Sequence, residues 1–174
     1  MAIQHNEIGV VEVEAFELQP PPIVQVSYLL SSRPERVFDT FLDPMQIQPW
    51  LHRGVGEVKR LVLEPYVGGS LVVVARRSDG SFLDGYGTIR ELERPTRIAF
   101  TWEAPKTDFP ESLVTVDIAE RPDRGSSLVL THVLDPRCAD ATARVEATWR
   151  AVLDALVETL GYPACDDPSI DEPT

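Results

Sequence analysis

The stretch DPRCADATARVEATWRAVLDALVETL, residues 135–160, decides how the chain is read. Asp135 suits the position before a helix. Pro136 suits the first helical position, where its fixed φ fits and its missing N–H would have no partner anyway. Gly161 and Pro163 supply a stop signal. Between these signals Val145, Trp149, Val152, Leu153, Leu156 and Leu160 recur at spacings of four, three, one, three and four. At 100° per residue they share one arc of a helix, with Glu146, Arg150, Asp154 and Glu158 on another. The pattern predicts a helix over Asp135–Leu160, about 37 Å long, with one face to bury and enough length to cross a whole sheet.

Working outward, the segments before it read as strands. Ile23 to Leu30 alternates Val24, Val26 and Tyr28 with Gln25 and Ser27. Ser32 before Pro34-Glu35 predicts a short helix with Val37, Phe38, Phe41 and Leu42 on its apolar face. Asp43-Pro44 predicts a second, ending near Trp50-Leu51. Further strands follow over residues 57–63, 70–76, 82–92, 97–103, 113–119 and 127–134, separated by Gly, Pro and Asp turn signals such as Ser78-Asp79-Gly80 and Asp123-Arg124-Gly125. Residues 105–110 read as a loop. Strands joined by short turns imply an antiparallel meander, and one long amphipathic helix is left to cover its face. The sheet must bend to enclose that helix, and Gly85 and Gly87 inside a strand allow it. The expected class is α+β: a curved antiparallel sheet of about seven strands around a C-terminal helix.

Charge and composition narrow the function. The net charge is −12, with Glu7, Glu12, Glu14 and Glu17 in residues 1–22 and Asp166, Asp167, Asp171 and Glu172 in residues 161–174, neither segment holding a Lys or Arg. Such a chain repels phosphate backbones and acidic membrane surfaces, so neither nucleic acid nor membrane is expected as a partner. No apolar run approaches a membrane span, and the N-terminus has no basic start with an apolar core, so a cytoplasmic location is expected. Cys138 and Cys165 are too few for a disulfide framework and lack metal-site spacing. His5 and His52 have no second ligand at metal spacing, so neither a metal nor another cofactor is expected. Residues 1–22, ending in Pro20-Pro21-Pro22, read as an acidic arm, residues 23–160 as one domain, and residues 161–174 as an acidic tail.

Several short motifs come in a telling order: Pro34-Glu35-Arg36-Val37-Phe38, Asp43-Pro44, Trp50, Gly68-Gly69, Asp79-Gly80, Gly87-Thr88-Ile89, Arg94-Pro95, Thr101-Trp102, Val114-Thr115-Val116, Leu128-Val129-Leu130-Thr131-His132 and Trp149. Over residues 23–160 this order resembles the activator-of-Hsp90-ATPase-like branch of the START/Bet v 1-like superfamily, whose fold is the helix grip. Thr148, where that family often has Gly, and Val67, where it often has Pro, depart from the pattern. The eukaryotic co-chaperones of this branch carry a separate chaperone-binding domain, for which 174 residues leave no room. The resemblance therefore implies the fold more than chaperone activation.

A strongly curved sheet closed by one helix leaves an interior that side chains need not fill, and concave apolar sites are the usual ligand pockets. The expected function is non-catalytic binding of a small apolar or aromatic molecule there. Trp50, Gly87, Ile89, Phe100, Trp102, Val116, His132, Trp149 and Val152 are its expected lining. Each has a plainer reading. The tryptophans can be ordinary core, and His132, at the end of a strand shared with Leu128 and Leu130, can be a hydrogen-bonded structural histidine. No catalytic residue is assigned. Asp84 and Glu91 stand at an odd separation on one strand, facing opposite ways, and no nucleophile elbow is present. Relatives on this fold include cyclases and hydrolytic variants, so an enzyme using His132 and Tyr86 is one alternative. A protein-interaction module or homodimer, using the acidic ends, the basic group Arg33, Arg36, Arg53, Lys59 and Arg60, or a sheet edge, is another. Because every periodic apolar segment of the matched region lies in residues 23–160, deleting residues 1–22 should leave the thermal midpoint nearly unchanged. A large drop in a calorimetric scan would show that Ile8 to Ala15 forms a structural strand.

Overall fold

The computed structural model describes residues 19–160. Most of the acidic arm, the tail, His5, Cys165 and the Gly161/Pro163 stop signal lie outside the described residues. Seven strands, β1 (Ile23–Leu30), β2 (Glu57–Leu63), β3 (Ser70–Arg76), β4 (Phe82–Glu93), β5 (Arg97–Ala104), β6 (Phe109–Glu120) and β7 (Ser126–Val133), form one antiparallel sheet. Its order is β1-β7-β6-β5-β4-β3-β2, so strands consecutive in the chain are neighbours except that β1 joins β7. The helices α1 (Pro34–Thr40) and α2 (Pro44–Val55) carry the chain from β1 at one edge to β2 at the other. The helix α3 (Thr142–Leu160) packs against β1 and α2.

Period-two alternation sends one set of side chains inward. In β1, Val24, Val26 and Leu30 are buried while Ile23, Gln25, Ser27 and Leu29 are exposed. In β7, Ser126, Leu128, Leu130 and His132 are all buried. In β6, Ser112, Val114, Val116 and Ile118 share the inward face. Against these strands α3 sets Val152, Leu153, Leu156 and Leu160, and α1 sets Val37 and Phe38, all within one core. The Tyr28 hydroxyl donates to Asp154 Oδ1 at 2.7 Å, and Arg94 makes two bonds to Asp39 at 2.8 and 2.9 Å, tying α3 to β1 and α1 to the β4–β5 turn.

The local signals differ from the expectation in four places. Asp135 does cap, accepting from the Arg137 N–H at 2.9 Å, but what it caps is a 3₁₀ segment, Pro136–Ala141. Cys138 leaves helical geometry there, and the α-helix begins only at Thr142. The cause is burial: Cys138 and Ala141 turn into a side cluster with Val24 and Leu134. Second, Arg33 rather than Ser32 precedes α1 and gives no side-chain cap, while the Ser32 carbonyl accepts from the Ser126 hydroxyl at 2.6 Å. Third, α2 runs past Trp50-Leu51 to Val55 with Pro49 inside it. Proline removes one backbone bond, but Ile47 and Trp50, buried on either side, hold the helix to the core. Fourth, β6 starts at Phe109 and takes in Pro110, where the β5–β6 register is irregular between Trp102 and Ala104.

The register of β4 on β5 shifts between Ile89 and Glu91, and two glycines of β4 lie close against β5. A Cβ on Gly85 would stand 2.0 Å from the Trp102 ring, so the indole lies directly across that glycine. A Cβ on Gly87 would stand 2.1 Å from the Thr101 carbonyl oxygen, and the Thr88 N–H bonds the Thr101 hydroxyl at 3.0 Å. Close backbone approach is what glycine permits here. Gly85→Ala should therefore displace the Trp102 ring and cost about 1–3 kcal/mol, as overpacking of a filled site does. Denaturant unfolding measures this, and an unchanged midpoint would contradict the stacking of Trp102 on Gly85.

Candidate functional site

Strands β1, β6 and β7 are covered by α3. Over β2 to β5 the cover is α2, and between α2, α3 and these strands lies a cavity of about 510 Å³. Period two again selects the lining: Leu61 and Leu63 from β2, Leu71 and Val73 from β3, Leu83 and Ile89 from β4, and Ile98, Phe100, Trp102 and Ala104 from β5. From α2 come Ile47, Trp50, Leu51, Gly54 and Val55, joined by Phe41 and Leu42 just before it. From α3 come Arg144, Val145, Thr148, Trp149 and Val152. The spacing of α2 and α3 is set at Gly54, where a Cβ would stand 2.2 Å from Val152 Cγ2 and 2.9 Å from the Thr148 carbonyl. Phe41 and Trp50 meet edge to face at 5.2 Å. Trp50 is 3% exposed, and its indole N–H has no acceptor among the described protein atoms.

The expected site residues divide accordingly. Trp50, Ile89, Phe100, Trp102, His132, Trp149 and Val152 line this cavity. Val116 and Gly87 do not. Val116, fully buried, belongs to one core cluster with Leu130, Val152 and Leu156 and does not line the cavity, although Phe109 at the start of the same strand does. Gly87 turns the direction of its missing side chain against the Thr101 carbonyl, so enlarging it would break the β4–β5 crossing rather than plug a pocket. Tyr86 is 40% exposed and lies away from the lining. Asp84 is paired with Lys106, and Glu91 accepts from Arg97 Nε at 2.6 Å, so both carboxylates are spent on ion pairs.

His132 is the polar centre of the wall. It is 2% exposed. The Trp149 indole N–H donates to its Nδ1 at 3.0 Å. Its Nε2 lies 2.7 Å from the Ser112 hydroxyl, which donates to the Trp102 carbonyl at 2.7 Å. Direction is forced from both ends, because an indole only donates and a carbonyl only accepts. The imidazole is therefore neutral with its proton on Nε2, donating to Ser112. Both ring nitrogens are used within the protein, as the structural reading of this histidine requires. The partner Ser112 was not legible while the strand was taken to start at Leu113. Extended to Phe109, β6 places Ser112 opposite Trp102 and Val114 opposite His132. The signal that would have found it is a serine two residues before Val114, on the same inward face.

Burial pushes the His132 imidazole down to about 4 from its ordinary 6.5. A base whose folded pKa lies below its unfolded value favours the native state when neutral. Between these two values the unfolded chain takes up a proton and the native imidazole does not. Its contribution is thus complete above pH 6.5 and is lost as pH falls towards 4, by up to ~3 kcal/mol. His132→Gln keeps one acceptor for Trp149 and one donor for Ser112 but does not titrate. Urea unfolding of this variant should lose less stability than the wild type between pH 7 and 4.5. Equal losses would mean that His132 is not held neutral.

A family model described as activator of Hsp90 ATPase homologue 1-like protein matches residues 31–161. No curated protein matches the chain. Among solved structures, a protein from Chromobacterium violaceum is 26% identical with a TM-score of 0.68, covering 82% of this chain and 99% of its own. One from Rhodobacter sphaeroides is 20% identical at a TM-score of 0.69, covering 82% and 96%. A protein of unknown function from Staphylococcus aureus is 13% identical at 0.69, covering 80% and 93%. Likeness at these identities is a likeness of fold, and the fold is the curved seven-strand sheet gripping α3. Since the family model spans most of the described residues, the chain belongs to the activator of Hsp90 ATPase homologue 1-like family.

Proposed function

We propose that this protein binds a small apolar or aromatic molecule, without transforming it, in the cavity between sheet, α2 and α3. The observation that carries the reading is the cavity itself: about 510 Å³ walled mainly by aliphatic and aromatic side chains. That size and character are those of small-molecule sites, which bury most of a ligand's surface in apolar contact and orient it with a few polar groups. The aromatic walls, Phe41, Trp50, Phe100, Trp102 and Trp149, suit a flat or greasy body. A catalytic reading has less support. It needs convergent free polar groups, and both nitrogens of His132 are engaged by Trp149 and Ser112. Among the described residues no three His, Cys, Asp or Glu side chains gather as metal ligands, and no helix is long and apolar enough to cross a membrane.

Binding to the native state alone raises stability by RT ln(1 + [L]/Kd), about 2.7 kcal/mol at a hundredfold excess over Kd. Titration with the neutral fluorophore N-phenyl-1-naphthylamine should give a saturable, one-to-one fluorescence rise and an upward shift of the thermal midpoint. Leu61→Trp, which adds bulk to a half-buried wall position, should weaken that binding about tenfold or more while the unliganded protein stays folded. Absence of saturable binding, or binding indifferent to Leu61→Trp, would remove the basis of this reading.

A further inference from the structure

Of the residues lining the cavity, none is Asp or Glu and two are arginines, Arg77 and Arg144. This is in a chain with 28 acidic side chains against 16 basic ones. The two arginines come from different elements and rim one opening. Arg77 follows β3, and the last turn of α2 sits on it: a Cβ on Gly56 would stand 2.4 Å from the Arg76 carbonyl and 3.1 Å from Arg77 Cα. Arg144 lies on α3 one turn before Thr148, whose hydroxyl donates to the Arg144 carbonyl at 3.0 Å. Thr148 in turn faces Gly54 of α2. The two side chains thus start on either side of the C-terminal turn of α2, while Phe41, Ile47 and Trp50 stand farther back along it.

Both arginines are exposed, and neither forms an ion pair with a carboxylate among the described residues. Each guanidinium has a planar fork suited to the two oxygens of a carboxylate. A carboxylate head at this side of the cavity would give both forks a partner. Behind the rim the cavity is apolar. Resting on the binding function proposed above, we infer that the ligand is an amphipathic anion: one carboxylate-type head held by Arg77 and Arg144, and an apolar body directed towards Trp50 and Phe41.

The test compares dodecanoate with dodecanol, which differ only at the head, as competitors of N-phenyl-1-naphthylamine on the full chain at low salt. Dodecanoate should bind about tenfold tighter or better, and 0.5 M sodium chloride should shrink that advantage, as screening of an exposed ion pair requires. The double variant Arg77→Gln/Arg144→Gln should bring the ratio of the dodecanoate and dodecanol affinities, each measured on the variant itself, close to one. Circular dichroism and the unliganded thermal midpoint check that the variant is folded, which two exposed substitutions should allow. If dodecanol and the fluorophore bind but dodecanoate binds no better, or keeps its advantage in the double variant, the anionic head is wrong and the apolar cavity function stands. If none of the three binds, both fail.

Discussion

The architecture depends on one constraint of coverage. A seven-strand sheet with an apolar concave face has a single long helix to bury it. That helix is 19 residues, because the turn before it is diverted into a 3₁₀ segment. At about 1.5 Å per residue it is roughly 28 Å long and cannot fill the whole concavity. It packs tightly over β1, β6 and β7, where Val152, Leu153, Leu156 and Leu160 meet Val26, Val116, Leu128 and Leu130. The other half of the sheet is roofed by α2, a shorter helix held at its ends by Asp43 and by the close approach of Gly54 to α3. Core and cavity share the same face, and the place along a strand matters as well as the strand: β7 gives Leu128 and Leu130 to the core and His132 to the cavity wall.

Between the halves runs a polar line through an apolar interior. Trp149 gives to His132, His132 to Ser112, and Ser112 to the Trp102 carbonyl. A buried polar group without a partner costs about 1–3 kcal/mol, so a chain of this kind is tolerated only when every member is satisfied. Here each is, and the direction of every proton follows from the two ends. The line joins α3, β7, β6 and the backbone of β5, and it orients the Trp149 indole that walls the cavity. It also engages both ring nitrogens of the histidine on the wall.

Much of the fold was legible in the residues. Alternation in Ile23–Leu30 and Arg97–Ala104, the Gly, Pro and Asp turn signals, and the apolar arc from Val145 to Leu160 are local patterns with periods of two and 3.6, and each produced the element it implies. Boundaries were less legible wherever burial outweighed a local signal. Pro49 did not end α2 because Ile47 and Trp50 anchor it. Pro110 did not delay β6. Asp135-Pro136 began a turn that Cys138 then diverted inward. For Pro49 the burial of Ile47 and Trp50 outweighed a preference of about 3 kcal/mol in the chain itself.

The site divides along the same line. By itself the sequence determined the faces: which side chains of each strand and helix point inward is a matter of parity and helical angle, so Trp50, Ile89, Phe100, Trp102, His132, Trp149 and Val152 could be placed inside before any contact was known. Only the tertiary structure decided which inward residues border empty space and which border one another. Val116 is as inward as Phe100, but it is enclosed by the core while Phe100 borders the cavity. Gly87 faces a carbonyl because of how β4 crosses β5. Ser112, Arg77 and Arg144 join the site from three separate elements. Periodicity is a property of one segment, whereas a cavity is set by the separation of elements far apart in the chain, and no single stretch of sequence carries that distance.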